Sequence, residues 1–136
     1  MTEAMPAAIH RWHAIAEARD VEGLDTLLAE EAVFESPVVH TPQVGKAITT
    51  RYLAAAFKVL NNEAFHYPNQ WFGERSAVLE FATEIDGITV NGIDMITWDD
   101  QDRITRFKVM IRPLKAINLV YEKMRETLTA MAGQAR

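Results

Sequence analysis

Residues 75–98 read RSAVLEFATEIDGITVNGIDMITW, and their alternation decides the fold. Along 75–85 one parity carries Ala77, Leu79, Phe81, Thr83 and Ile85, and the other carries Ser76, Val78, Glu80, Ala82 and Glu84. A period of two with one apolar face marks a half-buried strand. Asp86-Gly87 supplies the residue pair of a two-residue hairpin turn, whose central positions adopt positive φ. The return strand covers 88–98 and contains Gly92, where a bulge or a sharp bend is expected. Residues 99–102, DDQD, form the next turn, 104–111 the last strand, and Arg112-Pro113 ends it.

Working toward the N-terminus, the period changes to that of helices. Residues 6–19 place Ile9, Trp12, His13 and Ala16 on one face. Asp20 is suited to cap a short second helix carrying Val21, Leu24, Leu27 and Leu28. A short strand follows at 32–35, then a loop bracketed by Pro37 and Pro42 that holds His40. Residues 46–60 form a third helix, and 63–67 a strand interrupted by Pro68-Asn69. The last helix runs from Leu114 to about Met131 with Ile117, Val120, Tyr121, Met124 and Leu128 along its stripe. Helices first, then antiparallel strands, then a helix is α+β order: a curved sheet with helices covering one face and a hollow between them.

The chain has 136 residues, room for one domain, with 1–5 and 132–136 expected to fray. Apolar residues make up 49 % and charged residues 24 %, a globular composition. The absence of cysteine excludes a disulfide scaffold, a thiol nucleophile and a thiolate metal site. A net charge of −5 disfavours a nucleic-acid surface. No apolar run reaches the roughly 20 residues of a membrane span, and the first residues lack a secretory pattern, so a cytoplasmic location is expected. Signatures for dinucleotide, P-loop, zincin and α/β-hydrolase chemistry are missing, and neither a metal nor another cofactor is expected. His10 and His13 lie one helical turn apart, but a packed or surface pair explains them more simply than a metal.

Asp94 is the most informative acid, because it shares its parity with Ile96 and Trp98 inside an apolar strand. An ionised carboxylate there has to be paired, hydrogen-bonded or open to a watered cavity, and burial raises its pKa toward a range useful for proton transfer. A structural acid capped by a hydroxyl, an indole or backbone amides is the alternative. His40 is the candidate base, or simply a solvated loop histidine. Trp12, Tyr52, Phe81, Trp98 and Phe107 are the candidate ligand-binding residues, against the commoner fate of core packing. Arg106 and Lys108, if they neighbour Glu80 and Glu84, form a mixed charged ladder on the outer sheet face, suited to a homodimer. Arg112 either fixes the strand end by a salt bridge or binds an anion at a pocket rim.

Several short stretches carry a family resemblance. They are RDVEGL at 19–24, FESP at 34–37, GKAI at 45–48, NGID at 91–94 continuing to Trp98-Asp99, DRI at 102–104 and IRPL at 111–114. In this order and spacing the chain resembles the SnoaL-like branch of the nuclear transport factor 2-like, cystatin-like superfamily. The resemblance implies a cone: a bent, mixed but mainly antiparallel sheet wrapped around N-terminal helices, with a deep apolar pocket. Its members include isomerases, cyclases, dehydratases, an epoxide hydrolase and transport adaptors, so membership does not fix the reaction. Relative to ketosteroid isomerases, the resemblance puts Asp94 at the buried oxyanion-hole acid, Trp12 at the first-helix tyrosine and Tyr52 at a second pocket tyrosine. Ser36 stands where their catalytic base stands, and Gly92 where the epoxide hydrolase has an arginine.

The expected function is binding of a small, mostly apolar molecule, with cofactor-free proton transfer using Asp94 as hydrogen-bond donor or acid. Non-catalytic binding and a protein-interaction domain are the alternatives.

Overall fold

Pro6 stands just ahead of the first helix, α1 (Ala7–Ala18), which buries Ala8, Ile9, Trp12, Ile15 and Ala16. It stops where Arg19 turns left-handed, at φ 53°. Asp20 caps α2 (Val21–Leu27) by accepting the Gly23 N–H at 3.0 Å. The computed structural model describes residues 4–134; of the expected frayed ends, 1–3 and 135–136 lie outside the described residues.

The chain continues as β1 (Leu28–Glu35), β2 (Gln43–Val44), α3 (Lys46–Leu60), β3 (His66–Phe72), β4 (Ser76–Ile85), β5 (Ile88–Trp98), β6 (Ile104–Arg112) and α4 (Leu114–Gln134). The six strands form one sheet in the order β2-β1-β6-β5-β4-β3, with β1 parallel to β6 and every other pair antiparallel. The curved sheet wraps the N-terminal helices, and α4 packs on α3, β5 and β6. This is the expected α+β architecture. Among the described residues no helix is long and apolar enough to cross a membrane.

At the β4–β5 turn, Asp86 and Gly87 have φ of 52° and 78°, as a two-residue hairpin requires. The inward parity holds along both strands: Ala77, Leu79, Phe81, Thr83 and Ile85 are buried on β4, and Val90, Asp94, Ile96 and Trp98 on β5.

Four expectations change. The first strand begins at Leu28 rather than 32, since Leu28, although in helical period with Val21 and Leu24, turns extended at φ −87° and ψ 137° and pairs with Ile104. Pro68-Asn69 does not interrupt β3; the register slips between His66 and Asn69, and β3 lies at the sheet edge, where a missing N–H can be tolerated. Gly92 does not mark a bulge, because it pairs in register with Phe81 and Ile111. A Cβ there would lie 2.5 Å from the Phe81 ring and 2.5 Å from the Met110 carbonyl, so the glycine permits close packing.

Finally, β4 and β6 are not neighbours, and the expected ladder does not form. Arg106 instead holds Glu35 of β1 through two N–H donations of 2.8 and 2.9 Å, and Glu80 accepts from Asn69 and Asn91. Arg112 lies on the outer face beside Glu80. Donation from Asn69, then Asn91, and the Arg112 charge hold the Glu80 carboxyl below its ordinary range.

Candidate functional site

Strand alternation carries Asp94 to the concave face, between Leu79 of β4 and Val109 of β6, where it is 6 % exposed. A chain of donors reaches it from two other elements. The Trp12 indole N–H of α1 donates to the Tyr67 hydroxyl oxygen at 3.1 Å, and the Tyr67 O–H donates to Asp94 Oδ2 at 3.2 Å. Packing fixes each member: Trp12 lies against Phe107 at 4.7 Å and Phe57 at 5.6 Å, and Tyr67 edge-on to Phe65 at 5.1 Å. His13 also meets the Tyr67 ring edge-on at 4.9 Å and bonds Gln70 at 2.7 Å.

Burial pushes the Asp94 carboxyl up to about 7, and the Tyr67 hydroxyl pulls it partly back. Burial and the neighbouring carboxylate hold the Tyr67 phenol well above its ordinary value, so it remains a donor. Asp94 therefore changes charge near neutrality inside an apolar enclosure.

One cavity adjoins Asp94, and a second lies beyond it. The inner one, about 30 Å³, is bounded by Trp12, Phe57, Tyr67, Phe81, Asp94 and Phe107, among others. That is roughly the share of one water in the liquid, about 30 Å³, or room for a carbonyl oxygen. The outer one, about 190 Å³, opens beneath α4; its walls include Tyr52, Val38, Ile111 and Met124, and its polar members include Ser36 and Arg125. Phe34, Ala56, Leu60 and Val109 line both, so these four side chains form the partition between the chambers. A polar cleft of about 470 Å³ at the end of α1 shares Tyr67 with the inner chamber, and its His13 and Gln70 are bonded to each other.

Of the residues expected from sequence, Asp94, Trp12, Phe81 and Phe107 meet at the inner chamber, while Tyr52 lines the outer one, stacked on Phe34 at 5.2 Å. Trp98 is buried in the core and lines neither chamber. His40 is exposed on its loop and lines neither, so the structure does not bring it to Asp94. His10 is exposed. The sequence offers Tyr67 only as one of several large amphipathic aromatics that could line an apolar site, because Pro68 obscures its strand. Ser36, at the position of the ketosteroid isomerase base in the resemblance, accepts through Oγ the N–H groups of Val38 and Val39 at 3.1 and 3.3 Å.

The SnoaL-like domain family matches residues 9–107, most of the chain. The chain belongs to that family. Among solved structures, this SnoaL-like domain is similar to a steroid delta-isomerase from Pseudomonas aeruginosa, at 36% identity over 93% of each chain with a TM-score of 0.88. It also shares its fold with a conserved cystatin-like protein from Silicibacter pomeroyi, at 24% identity over 95% of this chain and 87% of the other, TM-score 0.81. A nuclear transport factor 2-like protein of unknown function from Mesorhizobium loti matches at 19% identity over 78% and 88%, TM-score 0.67. No curated protein matches. The family assignment agrees with the site: an apolar hollow between sheet and helices, closed at its inner end by a carboxyl group.

Proposed function

We propose that this SnoaL-like domain binds a small, mostly apolar carbonyl compound in the two-part cavity and moves a proton on it without a cofactor. Asp94 serves as hydrogen-bond donor or acid. The observation that carries the reading is the near-complete burial of Asp94 at the end of an apolar cavity, with one oxygen already held by Tyr67. Among the described residues Asp94 Oδ1 accepts no hydrogen bond, and no fully enclosed side-chain oxygen is left without a partner, so that oxygen stays open to the cavity. The 36% identity to a steroid delta-isomerase supports proton-transfer chemistry. The outer chamber, about 190 Å³, falls below the roughly 300 Å³ at which ordinary ligand pockets begin, which favours a one- or two-ring ligand.

In the reaction a C–H bond next to the carbonyl breaks, its electron pair moves onto the oxygen as an enolate, and the proton returns at the far carbon. Protonated Asp94 donates to that developing oxygen, an interaction that strengthens as charge builds. Ser36 has no carboxylate-like basicity. The proton carrier in this proposal is His40, whose part rests on the sequence alone; the structure holds it exposed and outside both chambers, so the proposal requires its loop to bring it to the substrate.

The test is conversion of a β,γ-unsaturated cyclic ketone to its conjugated isomer, followed by ultraviolet absorbance. Because the donor form is the protonated one, kcat/KM is expected to fall as pH rises through about 7. Asp94→Asn, whose amide still donates one bond, is expected to lower turnover by about tenfold. Unchanged turnover in both Asp94→Asn and His40→Ala overturns the reading, whereas ligand affinity without turnover leaves a binding protein.

We further propose that two copies pack through the outer sheet face, in keeping with a soluble, cytoplasmic homodimer. Trp71 is 55 % exposed there, with Met95 and Met110 beside it on the same face. An exposed apolar strip rimmed by charges fits a twofold partner. Trp71→Glu is expected to halve the mass found by analytical ultracentrifugation; a wild-type monomer at about 100 μM defeats the proposal.

A further inference from the structure

We propose that the outer chamber recognises an anionic oxygen group, a carboxylate in the simplest case, carried on a one- or two-ring apolar body. The inference rests on the ligand-binding reading above and names the class of ligand.

The polar groups of this chamber are matched to an acceptor. A hydroxyl has two lone pairs and one hydrogen. At Ser36 the amides of Val38 and Val39 occupy the lone pairs, which leaves the O–H as the group with hydrogen-bonding capacity to spare. Tyr52 adds a phenol whose ring is set by stacking on Phe34. Arg125 of α4 is the one charged side chain among the lining residues, and none of those residues is a carboxylate. Three hydroxyl-bearing side chains (Ser36, Tyr52 and Tyr121) and a guanidinium amid apolar walls suit a ligand that is hydrocarbon along its body and accepts hydrogen bonds at one end.

Arg125 is available for exchange. One terminal nitrogen lies 2.7 Å from Glu122 Oε2, three residues earlier, and both side chains are more than half exposed. An exposed pair of this kind contributes little, because water competes for both ends. A ligand carboxylate set between the guanidinium and the Val38–Met124 walls is partly sheltered from that competition, and its charge-assisted bonds are correspondingly stronger. Glu122 and Glu126 both act on Arg125, so recognition depends on direct contact rather than on a long-range positive field. The two chambers then have different tasks: the outer one holds the acid-bearing body of the ligand, and the ligand carbonyl reaches Asp94 once the Phe34–Ala56–Leu60–Val109 partition parts.

The test uses two shape-matched probes, 2-naphthoate and 2-acetylnaphthalene, titrated calorimetrically into the wild type and into Arg125→Met, which keeps an unbranched stem and removes the charge. The wild type is expected to bind 2-naphthoate about tenfold more tightly, and Arg125→Met to erase that preference while leaving 2-acetylnaphthalene within about twofold. Equal affinity for the two probes in the wild type, or an equal loss of both in the variant, overturns the proposal and leaves the ligand-binding reading standing. Binding of neither probe overturns both.

Discussion

Asp94→Asn will unfold at a higher temperature than the wild type at about pH 8, by about 10 °C, and at the same temperature near pH 3. The sign follows from the direction of the shift. Burial raises the folded-state pKa of Asp94 from 3.8 to about 7, so between those values the folded chain holds a proton that the unfolded chain has released. Stability from this group is therefore retained in acid, declines as pH rises through the window, and reaches its full deficit above about 7. A shift of this size corresponds to a deficit of about 4 kcal/mol. The asparagine amide keeps an oxygen to accept the Tyr67 hydroxyl but has no charge to bury. Other carboxyl groups titrate in both proteins and cancel in the difference. Paired melts across about pH 3 to 8 check this, and a difference that stays constant across the range refutes it. A carboxyl that weakens the fold at neutral pH is a natural candidate for a working group.

Gly92→Ala will destabilise the fold by about 3 kcal/mol, at the upper end of ordinary overpacking. The added methyl would lie 2.5 Å from the Met110 carbonyl of β6 and 2.5 Å from the Phe81 ring. Neither gives way easily: the first is backbone in a continuous ladder, and the second is 1 % exposed and stacked on Phe65 at 5.5 Å. Denaturant unfolding measures the loss. Gly92→Ala combined with Phe81→Leu should recover part of it, because only the ring contact is relieved. A Gly92→Ala protein as stable as the wild type would refute the close approach.

The legible parts of this fold were those written in local period. The β4–β5 hairpin, the inward face of Asp94 and the helix at 46–60 each need only a few neighbouring residues to be recognised. Residues 66–72 were obscured because Pro68 reads as a break unless the strand is known to lie at an edge, and strand order is not a local property. The same limit hid the site's wiring. Tyr67 reaches Asp94 across a register slip and an intervening strand, so spacing along the chain gave no hint of it. Gly92 announced an unusual backbone position, but only the approach of Phe81 and Met110 distinguishes tight packing from a bulge. The prolines around His40 announced a loop without saying which way its side chain would face.

The parallel pairing of β1 with β6 also bears on how the molecule is made. Glu35 and Arg106 are ion-pair partners 71 positions apart, so the strand that follows the first two helices has no parallel neighbour until residues 104–112 have been synthesised. Ring closure of that length is slow compared with forming a hairpin, and a nascent chain halted ahead of residue 104 lacks the strand that joins β1 to the rest of the sheet. The hollow facing Asp94, walled in part by Phe107 and Val109 of β6, is thus incomplete in any fragment that ends before that strand.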